Sequence, residues 1–589
     1  MENTQVAEKL REIADLLEML QKKDEQRYRI RAYREAANNI EYMPEDINTL
    51  AAENRLTEIP GVGESIAEKI LDILETGTSS YLEGLKRKIP VDLTELLRVP
   101  GLGRKTALLL YQKLGIKTID ELEDAARKGL IRKLPRMGEK TEANILRNIE
   151  IYKRRGKAEK RILLGKALPV VREIIEEMRK CKYVRKMVGV GSLRRRKETI
   201  GDIDIIAVSD SPEEAMDYFT NIPMASEVIA KGKTKSVIVT PSGLQVDLRI
   251  LPEKNYYSLL QHSTGSKEHN IRLREHALSK GYSLSEYGVH DLKTGKLITF
   301  NSEEELYRTL GLQYIPPELR ENLGEIEAAS EGKIPTLIEL NDVKGDIHVH
   351  TKYSDGQNTV REMALKALAL GYEYIAITDH SRSLGVAHGL DESDFEKQWQ
   401  EIDELNQELR KRGITILKGV ELDIRADGSL DLPDDFLEKF DIVIASVHLA
   451  LNQDKDTMTK RVLKAIRNPN VDVLGHPTGR LLGRREPINI ELSTVFESAA
   501  KTGTLLEVNG FPDRMDLNGL NCKFACEKGA MMAFGTDAHN TTELEYMEYA
   551  TYMARRGWLE KKDVINASSL EELLNHIRES ELRKRVGRR

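Results

Sequence analysis

Cysteine and long apolar runs are both scarce in this sequence of 589 residues. The three cysteines, Cys181, Cys522 and Cys526, form no zinc-binding framework, and so few thiols indicate a reducing compartment, the cytoplasm. No apolar run is long enough to span a bilayer, which excludes a membrane-embedded chain. The first twenty residues form an amphipathic pattern with acidic side chains, so they do not fit a signal peptide.

An excess of positive charge is also missing, because the formal net charge is −6 at pH 7. This total does not favour nucleic-acid binding, but local gathering of basic residues keeps such binding open. The basic runs are KRRGKAEKR at 153–161, LRRRK at 193–197 and LRKRVGRR at 582–589. Hydrophobic residues make up 40% of the chain, and its length predicts about four globular domains.

One pattern occurs three times near the N-terminus, at 59–70, 99–110 and 134–145 (IPGVGESIAEKI, VPGLGRKTALLL and LPRMGEKTEANI). Each copy has a hydrophobic residue, proline, a glycine turn and the start of a helix, which is the helix-hairpin-helix pattern. The free N–H groups after such a turn suit a DNA phosphate. The turn glycines predicted to contact DNA are Gly61, Gly63, Gly101, Gly103 and Gly138. A tight packing corner between helices is the alternative, and Arg136 replaces the first glycine of the third copy.

The stretch GDIDIIAVS at 201–209 predicts a strand with two acidic residues at its start. Asp202 and Asp204 share a face that turns apolar after them, and the opposite face is apolar too. Adjacent carboxylates repel each other unless a cation lies between them, so a divalent metal ion is expected. Upstream, the Gly191-Ser192 turn and the following arginines suit a triphosphate. Asp247, on a second predicted strand, supplies a third carboxylate, and three suit two metal ions.

These motifs, with VDLR at 246–249 and TGSKEHNIRLREHALSKGYSLSEYG at 264–288, resemble those of the family X DNA polymerases, the group containing polymerase beta. The resemblance covers residues 1 to about 315 and implies a polymerase that uses deoxynucleoside triphosphates with Mg²⁺ or Mn²⁺. It makes Asp202, Asp204 and Asp247 the catalytic, metal-binding residues. The implied nucleotide contacts are Arg161, Gly191, Ser192, Arg195, Gly201, Thr264, Gly265, Asn270 and Arg274. Among these, Thr264 and Gly265 match the sugar-side wall, Asn270 a minor-groove contact and Arg274 a template contact.

The resemblance also implies a lyase activity, in which Lys69 is the candidate nucleophile for an abasic sugar. Tyr33 matches the family, whereas Ser65 and Tyr81 stand in place of lysines. A merely solvated lysine is the alternative. Further departures are His262-Ser263 instead of an aromatic pair, Lys267 instead of an acid and Gln245 instead of an arginine.

In the second half of the chain, short apolar strands repeatedly end in a candidate metal ligand, with predicted helices between them. This alternation predicts a barrel-like β/α fold whose active site lies at the carboxyl ends of the strands. A single histidine in this position is commonly structural, but six at the same end indicate a metal site. The candidate ligands are His348, His350, Asp355, His380, Glu421, His448, His476, Asp537 and His539.

Imidazole and carboxylate ligands without thiolate suit manganese, zinc or iron, and nine candidates are enough for two or three ions. Residues 341–578 resemble the PHP (polymerase and histidinol phosphatase) family, with every ligand position retained. The resemblance implies metal-dependent phosphoester hydrolysis. The loop GRLLGRRE at 479–486 is either a contact to the DNA backbone or a solvated surface run.

The predicted fold is multidomain, with α+β and α/β parts. The predicted regions are a helical lyase-like domain at 1–85, a helix-hairpin-helix subdomain at 86–155, a nucleotidyltransferase palm at 156–252, a thumb-like nucleotide-selection subdomain at 253–316, a linker at 317–340 and a PHP domain, a distorted β/α barrel, at 341–578.

The two resemblances together imply a bacterial or archaeal polymerase that fills short gaps in base excision repair. Gapped or primer-template DNA and deoxynucleoside triphosphates are the expected partners, and a cytoplasmic monomer is expected. The PHP site is expected to be a Mn-dependent 3′-5′ exonuclease, with AP endonuclease or 3′-end cleaning as alternatives. Two other functions stay open: a metallophosphatase for a small metabolite with a regulatory front half, and a non-catalytic repair scaffold.

Overall fold

The structure of this chain is a computed structural model that divides into two compact units. The first unit comprises residues 1–160 and 271–281, and the second comprises 161–270 and 282–589. The described residues are 3–20, 27–42, 47–59, 61–88, 96, 102, 104–134, 137–139, 141–143, 145–146, 149, 161–383 and 388–587. None of the helices they form combines the length and apolar character that a membrane crossing needs.

Helices build the first unit. They are α1 (Asn3–Leu20), α2 (Arg27–Tyr42), α3 (Ile47–Ala52), α4 (Glu64–Thr76), α5 (Ser80–Lys88), α6 (Arg104–Leu114) and α7 (Ile119–Arg127). Their buried apolar residues form two separate cores, one within 6–85 and one within 96–149. Thr118 begins α7 with a capping box, since its hydroxyl accepts the Glu121 N–H and the Glu121 carboxylate accepts the Thr118 N–H.

A five-stranded mixed sheet organises residues 161–252. The strands are β1 (Ile162–Leu163), β2 (Lys186–Gly189), β3 (Thr199–Ile200), β4 (Ile203–Val208), β5 (Glu227–Lys231), β6 (Lys235–Val239) and β7 (Gln245–Leu251), and the helices are α8 (Leu164–Arg179), α9 (Gly191–Arg194) and α10 (Pro212–Thr220). The sheet order is β2-β4-β7-β6-β5, with β4 and β7 parallel, while β1 pairs with β3. Every residue of β4 except Asp204 is buried, as its apolar pattern predicts.

Residues 253–340 form small helices and a three-stranded antiparallel sheet. The elements are α11 (Tyr256–Thr264), α12 (Lys267–Ser279), β8 (Tyr282–Ser285), β9 (Gly288–Asp291), β10 (Leu297–Ile298), α13 (Glu303–Thr309) and α14 (Glu325–Ser330). The segment 317–340, predicted to be a linker, is packed instead of extended. Arg320 is fully buried on Glu303, and Glu325 is fully buried on His269 with a 2.7 Å contact. Because charged pairs occupy some of its buried positions, beside apolar residues such as Leu319 and Ile326, the segment shows no clear apolar periodicity.

The last region is a barrel-like β/α sheet, as predicted. Its strands are β11 (Gly345–Asp346), β12 (Tyr374–Ile377), β13 (Thr415–Asp423), β14 (Ile442–Ser446), β15 (Val473–Leu474), β16 (Leu505–Asn509) and β17 (Met532–Gly535). They follow one another in chain order and are all parallel. A parallel bridge from Val349 to Ala538 joins the segments that follow the first and last strands. The ring therefore collects its strand ends around one centre.

Helices cover the outside of this ring. They are α15 (Val360–Ala369), α16 (Glu392–Leu409), α17 (Asp434–Leu437), α18 (Lys455–Ile466), α19 (Leu492–Thr502), α20 (Gly519–Glu527), α21 (Met547–Arg556) and α22 (Leu570–Gly587). Side chains of Thr359, Asp391 and Asp454 cap the first turns of three of them. Since both faces of the sheet are covered, its strands are mostly apolar.

The mixed sheet and the barrel share one continuous apolar core within the second unit. Arg172 on α8 pairs with Glu548 on α21 at 2.6 Å, and Arg480 reaches Glu198 at 3.5 Å. Gly165 on α8 lies so close to Pro512 that a side chain at position 165 would overlap it. The mixed sheet and the barrel therefore pack directly against each other within the second unit.

Two candidate active sites

The first site lies where β4 and β7 run side by side. Asp204 and Asp247 are direct partners across these parallel strands, and Asp202 precedes β4. Desolvation, and then the charges of Asp247 and Asp202, raise the pKa of Asp204. Asp247 accepts a hydrogen bond from Gln245 at 2.8 Å and pairs with Lys235 at 3.0 Å. The structure therefore places three carboxylates near enough to repel, an arrangement that suits divalent cations.

The predicted triphosphate residues divide into two groups. Gly191 lies beside the site, since a Cβ built on it would be 3.8 Å from the Asp204 carboxylate, and Ser192 follows it. Arg161 donates to the Thr199 hydroxyl at 2.7 Å, and its guanidinium lies 3.5 Å from a Cβ built on Gly201. Gly191 therefore lies beside Asp204, and Arg161 lies beside the turn that leads into the acidic strand.

The side chain of Arg195, another predicted nucleotide contact, is only 10% exposed and is already engaged by the protein. Its Nε donates to Glu321 at 3.0 Å, and its Nη1 donates to the carbonyl of Thr264. The sequence offered no signal for this, since Glu321 is 126 residues away. These protein groups occupy the Arg195 side chain, and its contact with a triphosphate stays a prediction.

The predicted sugar-side wall is built on the end of α11. Thr264 is buried, its hydroxyl donates to the Leu260 carbonyl at 2.6 Å, and it accepts from Arg194 at 2.7 Å. Gly265 has φ +70°, and a Cβ there would lie 2.9 Å from Arg195, so only glycine fits. Asn270 exchanges hydrogen bonds with Gln261 and the His262 carbonyl, both 2.8 Å. Arg274 lies on α12, in the part that belongs to the first unit.

The predicted DNA contacts lie partly outside the described residues. Gly63 immediately precedes α4, is exposed and has open space around it, and Gly61 adopts φ +83°. Gly138 is exposed as well, and its carbonyl accepts the Thr141 N–H. Gly101 and Gly103 lie outside the described residues. Gly61, Gly63 and Gly138 are therefore exposed, where a phosphate can reach the backbone.

Lys69 lies in a polar, aromatic corner of the first unit. Its Nζ donates to the Ser65 carbonyl at 2.6 Å and approaches the Ser65 hydroxyl at 3.1 Å. The amine is 5.1 Å from the centre of the Tyr81 ring, which stacks on Tyr33 at 6.3 Å. Burial, then the nearby Tyr81, raise the pKa of Tyr33 to about 12. The residues that depart from the family pattern are therefore the ones that surround this lysine.

The second site is a ring of imidazoles and carboxylates at the carboxyl end of the barrel, where all nine predicted ligands meet. Glu421 stands at the centre, since a nitrogen of each neighbouring histidine lies within 3.6 Å of its carboxylate. Those histidines are His348, His350, His380, His448 and His476. Asp537 lies 3.2 Å from His350, and Asp355 lies 3.4 Å from His539.

Three ligand groups can be recognised among the described residues. In each, all the ligand atoms lie within 4.8 Å of one another. The groups are His350, Asp355, His380 and His539; His348, His350 and Asp537; and His380, Glu421 and His448. Shared members show that the groups are adjacent, as in a cluster of two or three ions.

The residues present fit metal ions. Within the described part of the chain, His348 Nε2, both ring nitrogens of His350 and His476 Nδ1 are buried without a hydrogen-bond partner. Leaving such atoms unpaired is costly, and a metal ion would satisfy them. Burial opposes the ionised form of Glu421, but the charges of His348, His448 and His380 outweigh it and hold its pKa well below the usual range. The site therefore keeps its central carboxylate ionised and ready to bind a cation.

Supporting residues complete this site, and sequence reasoning missed them. Glu507, fully buried on β16, contacts His348 Nδ1 at 2.6 Å and accepts the backbone N–H of His476. Asp423 accepts from His448 at 3.2 Å, and Arg514 pairs with Asp537 at 3.1 Å. Such partners fix the ring orientation of metal-binding histidines. The available signal was an acid inside an apolar strand, as in LLEVN at 505–509.

The loop 479–486 combines the buried Arg480 with an exposed part at Gly483 and Arg484. Arg480 is buried, donates to the Arg514 carbonyl at 2.9 Å and pairs with Glu198. Arg485 donates to the Gly479 carbonyl at 2.8 Å, and Arg484 pairs with Asp513 at 3.2 Å. Arg480 therefore connects regions of the second unit, while contact of the exposed part of the loop with a DNA backbone stays a prediction.

Four protein families match separate parts of the chain. Residues 259–321 match the DNA polymerase beta thumb, and residues 346–510 match the PHP domain. A helix-hairpin-helix domain matches residues 1–79, and a SAM-like helix-hairpin-helix tandem matches residues 93–150. The matches follow the order in which the sequence motifs occur.

Among curated proteins, one relative covers almost the whole chain. The DNA polymerase/3'-5' exonuclease PolX of Bacillus subtilis (strain 168) is 40% identical over 548 residues, which is 93% of this chain and 94% of that protein. A probable phosphatase of Thermoanaerobacter sp. (strain X514) is 31% identical over 41% of this chain and 96% of its own length. A probable phosphatase of Acetivibrio thermocellus is 34% identical over 34% of this chain and 80% of its length.

Proposed function

Because this chain belongs to the family of the DNA polymerase/3'-5' exonuclease PolX, we propose that its two sites carry out two opposed reactions on DNA. The aspartate site extends a primer, and the barrel site removes nucleotides from a 3′ end. One observation carries the proposal: the same chain holds Asp204 beside Asp247 and a separate cluster of nine candidate metal ligands. The helix-hairpin-helix matches support contact with the DNA backbone.

Primer extension joins the primer 3′-hydroxyl to the α-phosphate of a deoxynucleoside triphosphate, and pyrophosphate leaves. Mg²⁺ or Mn²⁺ held by Asp202, Asp204 and Asp247 would make the hydroxyl a better nucleophile and neutralise the triphosphate. The Gly191-Ser192 turn beside Asp204 offers N–H and hydroxyl donors to phosphate oxygens. Thr264 and Gly265 bound the pocket on the side assigned to the sugar.

Hydrolysis at the barrel needs a nucleophilic water and a clamp on the scissile phosphate. Two or three Mn²⁺, Zn²⁺ or iron ions held by the nine ligands would supply both. The protein contributes orientation, because Glu507 and Asp423 fix the rings of His348 and His448. Arg514 adds a positive charge next to Asp537. Asp355, His448 and His539 are only partly covered, so the DNA end enters on their side.

A primer-length assay on a gapped duplex tests the two-site proposal. Wild type, Asp204→Ala and His350→Ala would be compared in Mn²⁺, with and without nucleotides. We expect Asp204→Ala to shorten the primer without extending it, and His350→Ala to extend without shortening. Asp210→Ala, an exposed aspartate just beyond β4, is the control and should retain both activities. Loss of both activities in either active-site variant, with the fold intact, would contradict two independent sites.

The biological setting is part of this proposal. Short gaps produced in base excision repair are the proposed substrates, and the protein is proposed to act as a monomer. The free thiols of Cys181, Cys522 and Cys526 support a reducing compartment such as the cytoplasm. An analytical size measurement with gapped DNA tests the monomer, and a two-to-two complex would refute it.

The likeness of the barrel to probable phosphatases favours a second substrate for the same site, a terminal phosphate. On DNA this would be the removal of a 3′-phosphate before extension. Duplexes that end in 3′-phosphate, or that carry an internal abasic site, would separate end cleaning from AP endonuclease activity. Release of phosphate that disappears in His350→Ala supports the first.

A further inference from the structure

The segment between β2 and β3 rests on the barrel region. We call residues 190–198 the phosphate loop, because it begins with the Gly191-Ser192 turn. Arg556, the last residue of α21, donates from Nη1 to the backbone carbonyl of Arg195 at 2.7 Å. The guanidinium of Arg196 lies 4.5 Å from the centre of the Tyr552 ring, also on α21. Arg480 reaches the Glu198 carboxylate. Three positions of the loop therefore touch the PHP domain.

Glu321 is the junction that carries this support into the nucleotide pocket. Its Oε1 accepts from Arg556 at 3.1 Å and from Arg195 at 3.0 Å, and all three side chains are at most 14% exposed. Burial would raise the pKa of Glu321, but Arg556, Arg195 and Lys197 together lower it. Hydrogen bonds between ionised, buried groups are strong and directional. The position of Arg195 is therefore determined from two directions, through its backbone carbonyl and its side chain.

Arg195 in turn determines the wall of the pocket. Its Nη1 donates to the Thr264 carbonyl and leaves no room for a side chain at Gly265. A shift of Arg195 would thus move both the phosphate loop and the wall assigned to the sugar. The pocket holds a nucleotide only when these groups are correctly placed, so such a shift is expected to weaken nucleotide binding.

We propose that Arg556, a PHP-domain residue, is a positioning residue for the nucleotide pocket of the polymerase site, acting through the Arg195 carbonyl and Glu321. The inference rests on the proposed function of the aspartate site. The PHP domain then has a second role besides the hydrolysis of DNA. Its Arg556 holds the phosphate loop and Glu321 in the positions that the triphosphate site needs.

The test compares Arg556→Gln with Arg555→Gln in the full-length protein. Arg555 is the adjacent residue of α21 and is similarly covered, but it binds Glu318 at 2.8 Å and the Ile338 carbonyl at 3.0 Å, away from the loop. In Arg556→Gln the KM for the nucleotide should rise about tenfold, as expected for a lost charge-assisted hydrogen bond. Its kcat should change less than about threefold, and primer shortening should match wild type. Arg555→Gln should keep the wild-type KM.

Two further variants separate positioning from general loosening of the domain contact. Arg556→Lys should show a smaller rise in KM than Arg556→Gln, because an ammonium group can still reach Glu321. Glu321→Gln combined with Arg556→Gln should raise KM less than the product of the single effects, since both act on Arg195. An unchanged KM in Arg556→Gln, or an equal rise in Arg555→Gln, would overturn the inference. Wild-type protein that fails to extend a primer at all would instead refute the proposed function.

Discussion

Replacing Glu303 with glutamine should release the segment that follows it. The carboxylate accepts from Arg194 at 3.1 Å and from the fully buried Arg320 at 2.6 Å, while Arg320 Nε also donates to the Ile315 carbonyl at 2.9 Å. Glutamine keeps the shape of the side chain but removes the charge. Both guanidinium groups would then remain in a covered site without their counter-charge, which is strongly destabilising.

Two routes give the same size of effect. Burial would raise the pKa of Glu303, but Arg320 and Arg194 outweigh burial and lower the pKa from 4.5 to about 2. That displacement corresponds to about 3 kcal/mol of stabilisation at neutral pH. Removing one partner from a buried ion pair typically costs about 3–5 kcal/mol. We therefore expect Glu303→Gln to lower the free energy of local opening by about 3 kcal/mol.

Hydrogen exchange measured by mass spectrometry reports this opening without assuming that so large a protein unfolds in one step. Amides in peptides spanning 302–323 should exchange at least about a hundredfold faster in Glu303→Gln, because each 1.4 kcal/mol is tenfold. Glu304→Gln, on the exposed side of the same turn, is the control. Exchange in Glu303→Gln within about threefold of that control would refute the reasoning.

The pH dependence of this stabilisation has a definite sign. Because the folded-state pKa of Glu303 lies below its unfolded value, the contribution is complete above about pH 4.5. It falls as the pH drops towards 2, since the unfolded state takes up a proton that the folded state rejects. Glu303→Gln should show no such loss over this range.

Three further predictions concern separate parts of the chain. Glu507→Gln should weaken metal binding by about 10–100-fold in a metal-content assay while primer extension persists, and Glu497→Gln on the surface of α19 should match wild type. Gly165→Val should overlap Pro512 and make the contact between the mixed sheet and the barrel more sensitive to limited proteolysis, so an unchanged digestion pattern would count against the described packing. Borohydride should trap little wild-type protein on an abasic duplex, because Ser65 and Tyr81 already engage the Lys69 ammonium; an efficient adduct that disappears in Lys69→Arg would show the opposite.

Much of the barrel site could be predicted because its sequence pattern is local. Each candidate ligand follows a short apolar strand, and parallel strands in one ring must bring their ends together. His348 and Asp537 meet for this reason although 189 positions separate them. The acidic strand could also be predicted from its own residues, because Asp204 is the one exposed residue in the otherwise buried β4.

The remaining features of the two sites depend on partners that are distant in sequence, and no local pattern predicts such partners. Arg195 carries the phosphate-contact motif, yet its side chain binds Glu321, a distant residue in a segment without apolar periodicity. That same segment was predicted to be a linker because hydrophobic periodicity detects apolar burial, whereas Arg320 and Glu325 are buried as charged partners. Glu507 lies inside a strand, so the pattern of candidate ligands at strand ends does not include it.

The bond from Arg556 to the Arg195 carbonyl also sets an order of events during synthesis, because it joins positions 361 residues apart. At roughly 5–20 residues per second, a ribosome needs about twenty to seventy seconds to cover that distance. The ribosome therefore completes the residues of the mixed sheet well before it makes α21, the helix that contacts the phosphate loop. His348 likewise waits for Glu507, 159 residues later. The phosphate loop gains its support only after Arg556 has been made, and the barrel site only after Asp537 and His539, so a nascent chain that stops before Asp537 holds neither site complete.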